Sequence, residues 1–115
     1  MTIRIARTAI TRAELATAAE ALFGDMVKAV VDIERKLMAF GGELHSDEES
    51  ALLEDGSEQQ DLWGINLYPA EAGDDWIEYD SMINVRPSAG NRSRSVEDQA
   101  LRELIRTVVA GLVTK

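Results

Sequence analysis

Hydrophobic residues at helical spacing predict three helices. The first follows the capping-box pattern Thr11-Arg12-Ala13-Glu14, and its apolar face ends near Gly24. The second is short, runs over residues 47–54 after Ser46 as N-cap, and has an acidic first turn. The last is capped by Ser95, and its buried stripe consists of Leu101, Leu104, Ile105, Val108 and Leu112.

Alternating apolar and polar residues predict a strand over residues 2–6, and we also predict strands over residues 62–68 and 76–85. The last two are joined by a loop that contains Pro, Gly and Asp, which favours a hairpin. In that hairpin one face packs on the core and carries Trp63, Ile65, Leu67, Ile77, Tyr79 and Ser81. The opposite face is polar and carries Gly64, Asn66, Glu78, Asp80 and Asn84.

Residues 26–42 fit two patterns. Met26, Val30, Ile33, Leu37 and Phe40 have helical spacing, whereas Val27, Ala29, Val31 and Ile33 have strand spacing. The richness in β-branched residues favours a hairpin that turns near residues 34–36. The turn contains no Gly or Asn, which favours the helix instead. We prefer the hairpin.

The element order is then roughly β-α-β-β-α-β-β-α. This order predicts a single α+β domain over residues 1–115, with a mainly antiparallel sheet and helices packed on one face. The apolar runs are too short to span a membrane, and we find no signal-peptide pattern near the start of the sequence. We therefore expect a cytoplasmic protein with no membrane partner.

Charge is unevenly distributed along the 115 residues. The net charge is −9, yet residues 41–80 hold thirteen acidic side chains and no Lys or Arg, a net charge of −13. Residues 1–40 and 81–115 have net charges of +1 and +3. An acidic central surface of this kind excludes nucleic acid as its partner, because nucleic-acid binding requires cationic surface. The absence of Cys excludes disulfides and zinc–thiolate sites.

Six sequence runs resemble a family of small prokaryotic proteins that is catalogued only as a domain of unknown function. They are GDMVKAVVD (24–32), GELHSDE (42–48), LEDGS (53–57), DLWGINLYP (61–69), INVRP (83–87) and GNRS (90–93). The resemblance covers about residues 3–113, and the run around Trp63 is the most distinctive. It implies a single cytoplasmic domain and brings no catalytic residues. Relatives often carry Gly near position 36, where this chain has Lys36.

His45, the only histidine, lies between two carboxylates. In an extended segment Glu43, His45 and Asp47 project to the same side and could bind a divalent metal ion. Alternatively, His45 could act as a general base beside Asp47. The interpretation that we favour is structural: His45 bonds a backbone carbonyl where strand meets helix, and Asp47 stabilises the helix start.

Two further groups are candidate ligand-binding or catalytic residues. On the polar hairpin face, Glu78 could share acid–base work with Asp80, and Asn66 and Asn84 offer hydrogen bonds. In the loop before the last helix, the side chains suited to a phosphate or carboxylate are Arg86, Asn91, Arg92 and Arg94. The favoured alternatives are a solvated or partner-covered hairpin face, and arginines that pair with the acidic segment within the fold or across a dimer.

No phosphate loop, dinucleotide fingerprint or nucleophile elbow occurs in the sequence. The shortage of catalytic groups favours a non-enzymatic binding or assembly module whose acidic central surface docks a basic protein or a second copy of the chain. One alternative is a small hydrolase or metal-dependent enzyme centred on Glu43, His45 and Asp47, for which a divalent metal is the only cofactor we would expect. Another is an anionic-ligand binder at the Arg86–Arg94 loop.

Overall fold

A computed structural model describes residues 3–115 and shows an α+β fold, which confirms the predicted class. In chain order the elements are β1 (Arg4–Ala6), β2 (Ile10–Thr11), α1 (Arg12–Leu22), β3 (Val27–Asp32), β4 (Leu37–Phe40), α2 (His45–Glu54), β5 (Leu62–Leu67), β6 (Ile77–Glu78), α3 (Gln99–Leu112) and β7 (Val113–Thr114). Strands β1-β4-β3-β5-β6 form an antiparallel sheet in that order, and β2 pairs with β7 in parallel. The strand predicted over residues 2–6 begins outside the described residues. Within them, β1 runs from Arg4 to Ala6.

The predicted hairpin over residues 26–42 is confirmed, since β3 and β4 pair antiparallel. Its turn is built without Gly or Asn because the carboxylate of Asp32 accepts hydrogen bonds from the backbone N–H groups of Glu34 (2.9 Å) and Arg35 (2.8 Å). Lys36 then adopts a left-handed conformation, with φ +58°, and donates its N–H to the carbonyl of Asp32. This is the position where relatives are expected to carry Gly.

Helix starts agree with the sequence at α1 and differ at the other two helices. Thr11 forms the predicted capping box with Glu14. Helix α2 begins at His45, so Ser46 lies within the first turn and is not the N-cap. Helix α3 begins at Gln99 and is capped by Asp98, because Ser95 is held in a hydrogen-bonded loop that delays the helix.

Helices α1 and α3 cover one face of the sheet. The core between them includes Leu15 of α1, Ile105 of α3 and three sheet residues, Val31, Met38 and Ile65. These five side chains are fully buried. This face holds most of the apolar core.

Helix α2 covers the opposite face, which differs from the predicted arrangement with all helices on one side. Leu52 of α2 packs on Val30, Ala39 and Leu62, whose side chains alternate with those of the first face. Strands β3 and β5 are consequently buried on both faces, so their sequences do not alternate cleanly between apolar and polar residues.

The strand predicted over residues 76–85 is wrong beyond Glu78. The register Leu67–Ile77 and Asn66–Glu78 agrees with the predicted hairpin, but a 3₁₀ turn, Met82–Asn84, follows instead of a longer strand. Ser81 caps that turn by accepting from the N–H of Ile83 (3.2 Å). Ser81 also faces Gly64, on the side opposite to the one predicted.

No helix within residues 3–115 combines the length and the apolar character that crossing a bilayer requires.

Candidate functional site

The ring of His45 points into the protein. Its Nε2 donates to the carbonyl of Ile65 at 2.8 Å, and the residue is 8% exposed. Because a carbonyl can only accept, Nε2 carries the proton. Burial lowers the pKa of the imidazole, opposed by the bond to Ile65, so the ring is neutral at pH 7. This contact is the one that the structural interpretation of His45 predicts.

Glu43 and Asp47 lie apart from that contact. Glu43 is exposed, and Asp47 is half-buried in the first turn of α2, where its charge suits the helix dipole. Among residues 3–115, no group of three or more His, Asp or Glu side chains is arranged to hold a metal ion. The structure therefore does not bring Glu43, His45 and Asp47 together as a ligand set.

Asn66 and Glu78 meet across strands β5 and β6, as their shared face predicts. Asn66 Nδ2 donates to Glu78 Oε1 at 2.8 Å and to the carbonyl of Asp80 at 3.2 Å. The hydroxyl of Tyr68 donates to the same carboxylate oxygen at 3.2 Å. Burial and the nearby Glu78 charge raise the pKa of Tyr68. Glu78 is thus held by two donors at the outer end of the sheet.

Asn84 is buried and completes the free edge of β5. Its Oδ1 accepts from the N–H of Gly64 (2.8 Å), and its Nδ2 donates to the carbonyl of the same residue (2.9 Å). Nδ2 also donates to the carbonyl of Arg94 at 3.1 Å. One amide side chain therefore replaces the backbone of a neighbouring strand, which is a structural role.

Asn91 organises the loop before α3. Its Nδ2 donates to three backbone carbonyls, those of Asn84 (2.8 Å), Ser93 (3.0 Å) and Ser95 (2.8 Å). Its Oδ1 accepts from the N–H of Glu97 at 2.9 Å. The amide is 5% exposed with its donors and acceptor all in use, so the structure places it in the scaffold of the loop.

The anion position that the loop was predicted to offer is occupied by a carboxylate of the chain itself. Glu97 Oε2 accepts from the N–H groups of Arg92 (3.1 Å) and Ser93 (2.9 Å), and from the Ser93 hydroxyl (2.7 Å). The pKa of Glu97 is lowered mainly by the hydrogen bonds from Ser93 and, to a smaller extent, by Arg92. Arg92 itself is exposed.

Arg86 lies across the outer edge of β5. It donates to the carbonyl of Leu62, and its guanidinium carbon lies 4.6 Å from the centroid of the Trp63 ring. Its Nη2 is 3.6 Å from Glu49 Oε2 of helix α2, and both side chains are less than 15% exposed. Burial lowers the pKa of Arg86. Arg94 pairs with Asp80 at 2.8 Å, so both arginines pair with the acidic segment within the fold, as the structural alternative predicts.

Sequence reasoning missed Glu48, a fully buried carboxyl on α2. Its Oε2 accepts from the N–H of Gly42 at 2.9 Å, while Oε1 is buried without a hydrogen-bond partner. Burial raises its pKa to about 9, so it carries its proton at neutral pH. The signal was present in the helical spacing, which places Glu48 on the inner face of α2 with His45 and Leu52.

Most ion pairs of residues 41–80 use arginines from the two ends of the chain. Asp55 is bound by Arg7 at 2.5 Å and by Arg35 at 2.8 Å, and Asp74 lies 3.9 Å from Arg106. The two arginines hold the pKa of Asp55 well below its usual range. Asp55 and Asp74, like Glu49 and Asp80, are thus paired with arginines inside the fold, in keeping with the alternative in which arginines pair within it.

Three carboxylates near the β3–β4 turn lack such an arginine partner in the described chain, and we call them the acidic patch: Glu34, Glu58 and Asp61. Glu34 and Glu58 are exposed and Asp61 is half-buried. Within the described chain, none of the three forms an ion pair with Lys or Arg. The pKa of Asp61 is raised mainly by burial and, to a smaller extent, by the charges of Asp32, Glu58 and Glu34. Like charges are therefore concentrated at this end of the sheet.

Comparison with known protein families shows a match over most of the chain. The model of the family described as Protein of unknown function (DUF5674) matches residues 4–112, which agrees with the resemblance seen in the sequence. No curated protein and no solved structure matches the chain.

Proposed function

The chain belongs to the DUF5674 family, whose description assigns no activity, and we propose that it is a non-enzymatic binding or assembly module that docks a basic partner on its acidic patch. The patch combines Glu58 and Asp61 of the acidic central segment with Glu34 beside them, and none of the three forms an ion pair with Lys or Arg in the described chain. We propose a cytoplasmic location and no cofactor for this role.

One observation supports this proposal above the others: Glu34, Glu58 and Asp61 lie close together without an ion pair to Lys or Arg in the described chain, and burial, followed by the charges of the surrounding carboxylates, raises the pKa of Asp61. Like charges held together in this way repel one another and weaken the fold. A cationic partner would relieve that repulsion and would be steered to the patch by its field. Asp55, Glu49 and Asp80 offer less to such a partner, because arginines of the same chain already pair with them.

We favour a separate basic protein over a second copy as the partner. A second copy would have to present the Arg86–Arg94 loop, yet Arg86 and Arg94 are paired with Glu49 and Asp80 in their own chain, which leaves Arg92 as the exposed arginine of that loop without an ion pair in the described chain. A salt-sensitive dimer in light scattering would contradict this choice of partner.

The test uses oligolysine as the basic probe, with binding measured by calorimetry across a salt series. The double variant Glu58→Gln, Asp61→Asn should bind about tenfold more weakly, a loss of roughly 1.4 kcal/mol, and show a smaller salt dependence. The control Glu20→Gln, Glu71→Gln removes the same charge at exposed positions of α1 and of the loop after β5. Equal losses in the two double variants would show a general charge effect and contradict a docking patch.

A further inference from the structure

A cavity of about 420 Å³ lies between the C-terminal half of α3 and the end of the β3–β4 hairpin. Its wall is mainly apolar and includes Ile33, Val108 and Leu112. Leu104 of α3 also lines it and is 52% exposed, an unusual position for a large aliphatic side chain. Cavities of this size and character are typical of small-molecule sites.

Cationic side chains stand beside this apolar wall. Arg7 and Lys36 both line the cavity. Arg7 is held by the carboxylate of Asp55 through two hydrogen bonds, of 2.8 and 2.5 Å. The ammonium of Lys36 forms no ion pair with any residue of the described chain. The cavity therefore offers one uncompensated positive charge at the side of an apolar space.

We infer that this cavity binds a medium-chain carboxylate, with the alkyl chain against α3 and the carboxylate at Lys36. The charge sets the sign of the head group, because a cationic or neutral head would leave Lys36 without a counter-charge. The volume accommodates the chain: a dry apolar cavity of about 150 Å³ accepts benzene, so 420 Å³ has room for an eight-carbon chain. The cavity adjoins the β3–β4 turn that carries Glu34, but none of the three carboxylates of the acidic patch lines it, and the inference does not depend on their role.

Octanoate is the probe, with octanol and octyltrimethylammonium as matched apolar chains of different head-group charge. We expect saturable binding of octanoate in calorimetry and weaker binding of the other two. Each methylene should contribute about a fourfold gain, so octanoate should bind at least tenfold more tightly than hexanoate. Equal binding of all three head groups, or no binding of octanoate, would overturn the inference.

Two variants locate the ligand without disturbing the fold. Lys36→Gly removes the ammonium at a position whose φ of +58° suits glycine, and should weaken octanoate binding about tenfold while leaving octanol unchanged. Gly111 lines the cavity and has open space around its Cβ position, so Gly111→Leu should fill the cavity and abolish binding of both. Lys28→Gln, a charge-matched control outside the cavity, should keep full affinity. Unchanged octanoate binding in folded Gly111→Leu, as judged by circular dichroism, would overturn the site.

Discussion

At the scale of single residues, Gly64 and Ser81 show how closely β5 and the segment after β6 approach each other. A Cβ atom at Gly64 would lie 2.6 Å from both the Cβ and the Oγ of Ser81, and 3.1 Å from Ile83. Residue 64 also uses both backbone groups to bind Asn84, so it cannot shift away. The φ of Gly64 lies outside the left-handed region, so its backbone conformation does not require glycine. Glycine is required here because of the close packing.

Gly64→Ala should therefore destabilise the protein by about 1–3 kcal/mol, the usual cost of overpacking a core. The measurement is the urea midpoint followed by Trp fluorescence. Gly111→Ala is the matched control: it adds the same methyl group in open space within helix α3 and should be neutral or stabilising by up to about 1 kcal/mol. Equal effects of the two substitutions would contradict the packing argument.

At the scale of secondary-structure elements, strand β5 is completed by side chains along part of one edge. Its inner edge pairs with β3 over its whole length, whereas β6 covers only Asn66 and Leu67 on the outer edge. Asn84 bonds Gly64, and Arg86 bonds the carbonyl of Leu62, on the remainder of that edge. Two side chains thus hydrogen-bond to the backbone of β5 where the short β6 does not cover its outer edge.

Asn84→Ala should lower the stability by about 2–4 kcal/mol, because it leaves the buried N–H and C=O of Gly64 unpaired. Hydrogen exchange of the Gly64 amide should accelerate more than that of its neighbours in β3. Asn84→Asp separates the two bonds, since it keeps an acceptor for the Gly64 N–H and loses the donor. It should destabilise the fold while that amide stays slow to exchange; fast exchange in both variants would contradict the assigned orientation of the Asn84 amide.

The same elements show what the sequence could and could not predict. Periodicity and capping chemistry were sufficient for α1 and for the Asn66–Glu78 register. For the β3–β4 pairing, where the periodicity fitted both a helix and a hairpin, the richness in β-branched residues favoured the correct alternative. The prediction of a strand beyond Glu78 failed because the sequence pattern does not show whether the outer edge of β5 is paired by the backbone of a neighbouring strand or by the Asn84 amide. The cap assigned to Ser95 failed because the carbonyl of Ser95 accepts from the Asn91 amide in the loop that delays the helix, and the cap assigned to Ser46 failed because α2 already begins at His45.

The candidate sites were predictable to a similar degree. His45 bonds a carbonyl, and Arg86 and Arg94 pair with acidic residues, as the structural alternatives predict. The cavity beside α3 was not predictable, because its wall combines residues of the hairpin and of α3 that are about seventy positions apart. Only the tertiary fold brings Lys36 to Leu104.

At the scale of the whole molecule, the formal net charge of −9 counts one carboxyl group that is protonated at neutral pH. Arginines from both ends of the chain pair with Asp55, Glu49 and Asp80, which brings opposite charges together but leaves the net charge unchanged. The buried Glu48 adds no negative charge, because its pKa of about 9 keeps it protonated.

Glu48 predicts how the stability of the whole fold depends on pH. Its pKa is about 9 when folded, against an ordinary value of 4.5, so the folded state holds a proton that the unfolded chain has released. This contribution to stability is complete below pH 4.5 and is lost as pH rises towards 9, with a slope approaching about 1.4 kcal/mol per pH unit. Between pH 7 and 8.5, above the range where His45 titrates, the urea midpoint should fall steadily.

Glu48→Gln should flatten that slope, because the amide cannot ionise and its oxygen can still accept from Gly42. At pH 8 the variant should be more stable than the parent by at least about 1 kcal/mol. Glu54→Gln, at an exposed position of the same helix, should keep the parental slope. A parental slope in Glu48→Gln would show that another group titrates.

The side chains of Asn84 and Arg86 also shield part of the outer edge of β5 from other copies of the protein. An unpaired strand edge is a template on which a foreign strand can add, and a run of such additions begins aggregation. Asn84 and Arg86 of the same chain already bind backbone groups of Gly64 and Leu62 on that edge. Variation at these two positions would thus be felt first in crowded or concentrated conditions, as a loss of monodispersity that precedes any loss of folded structure.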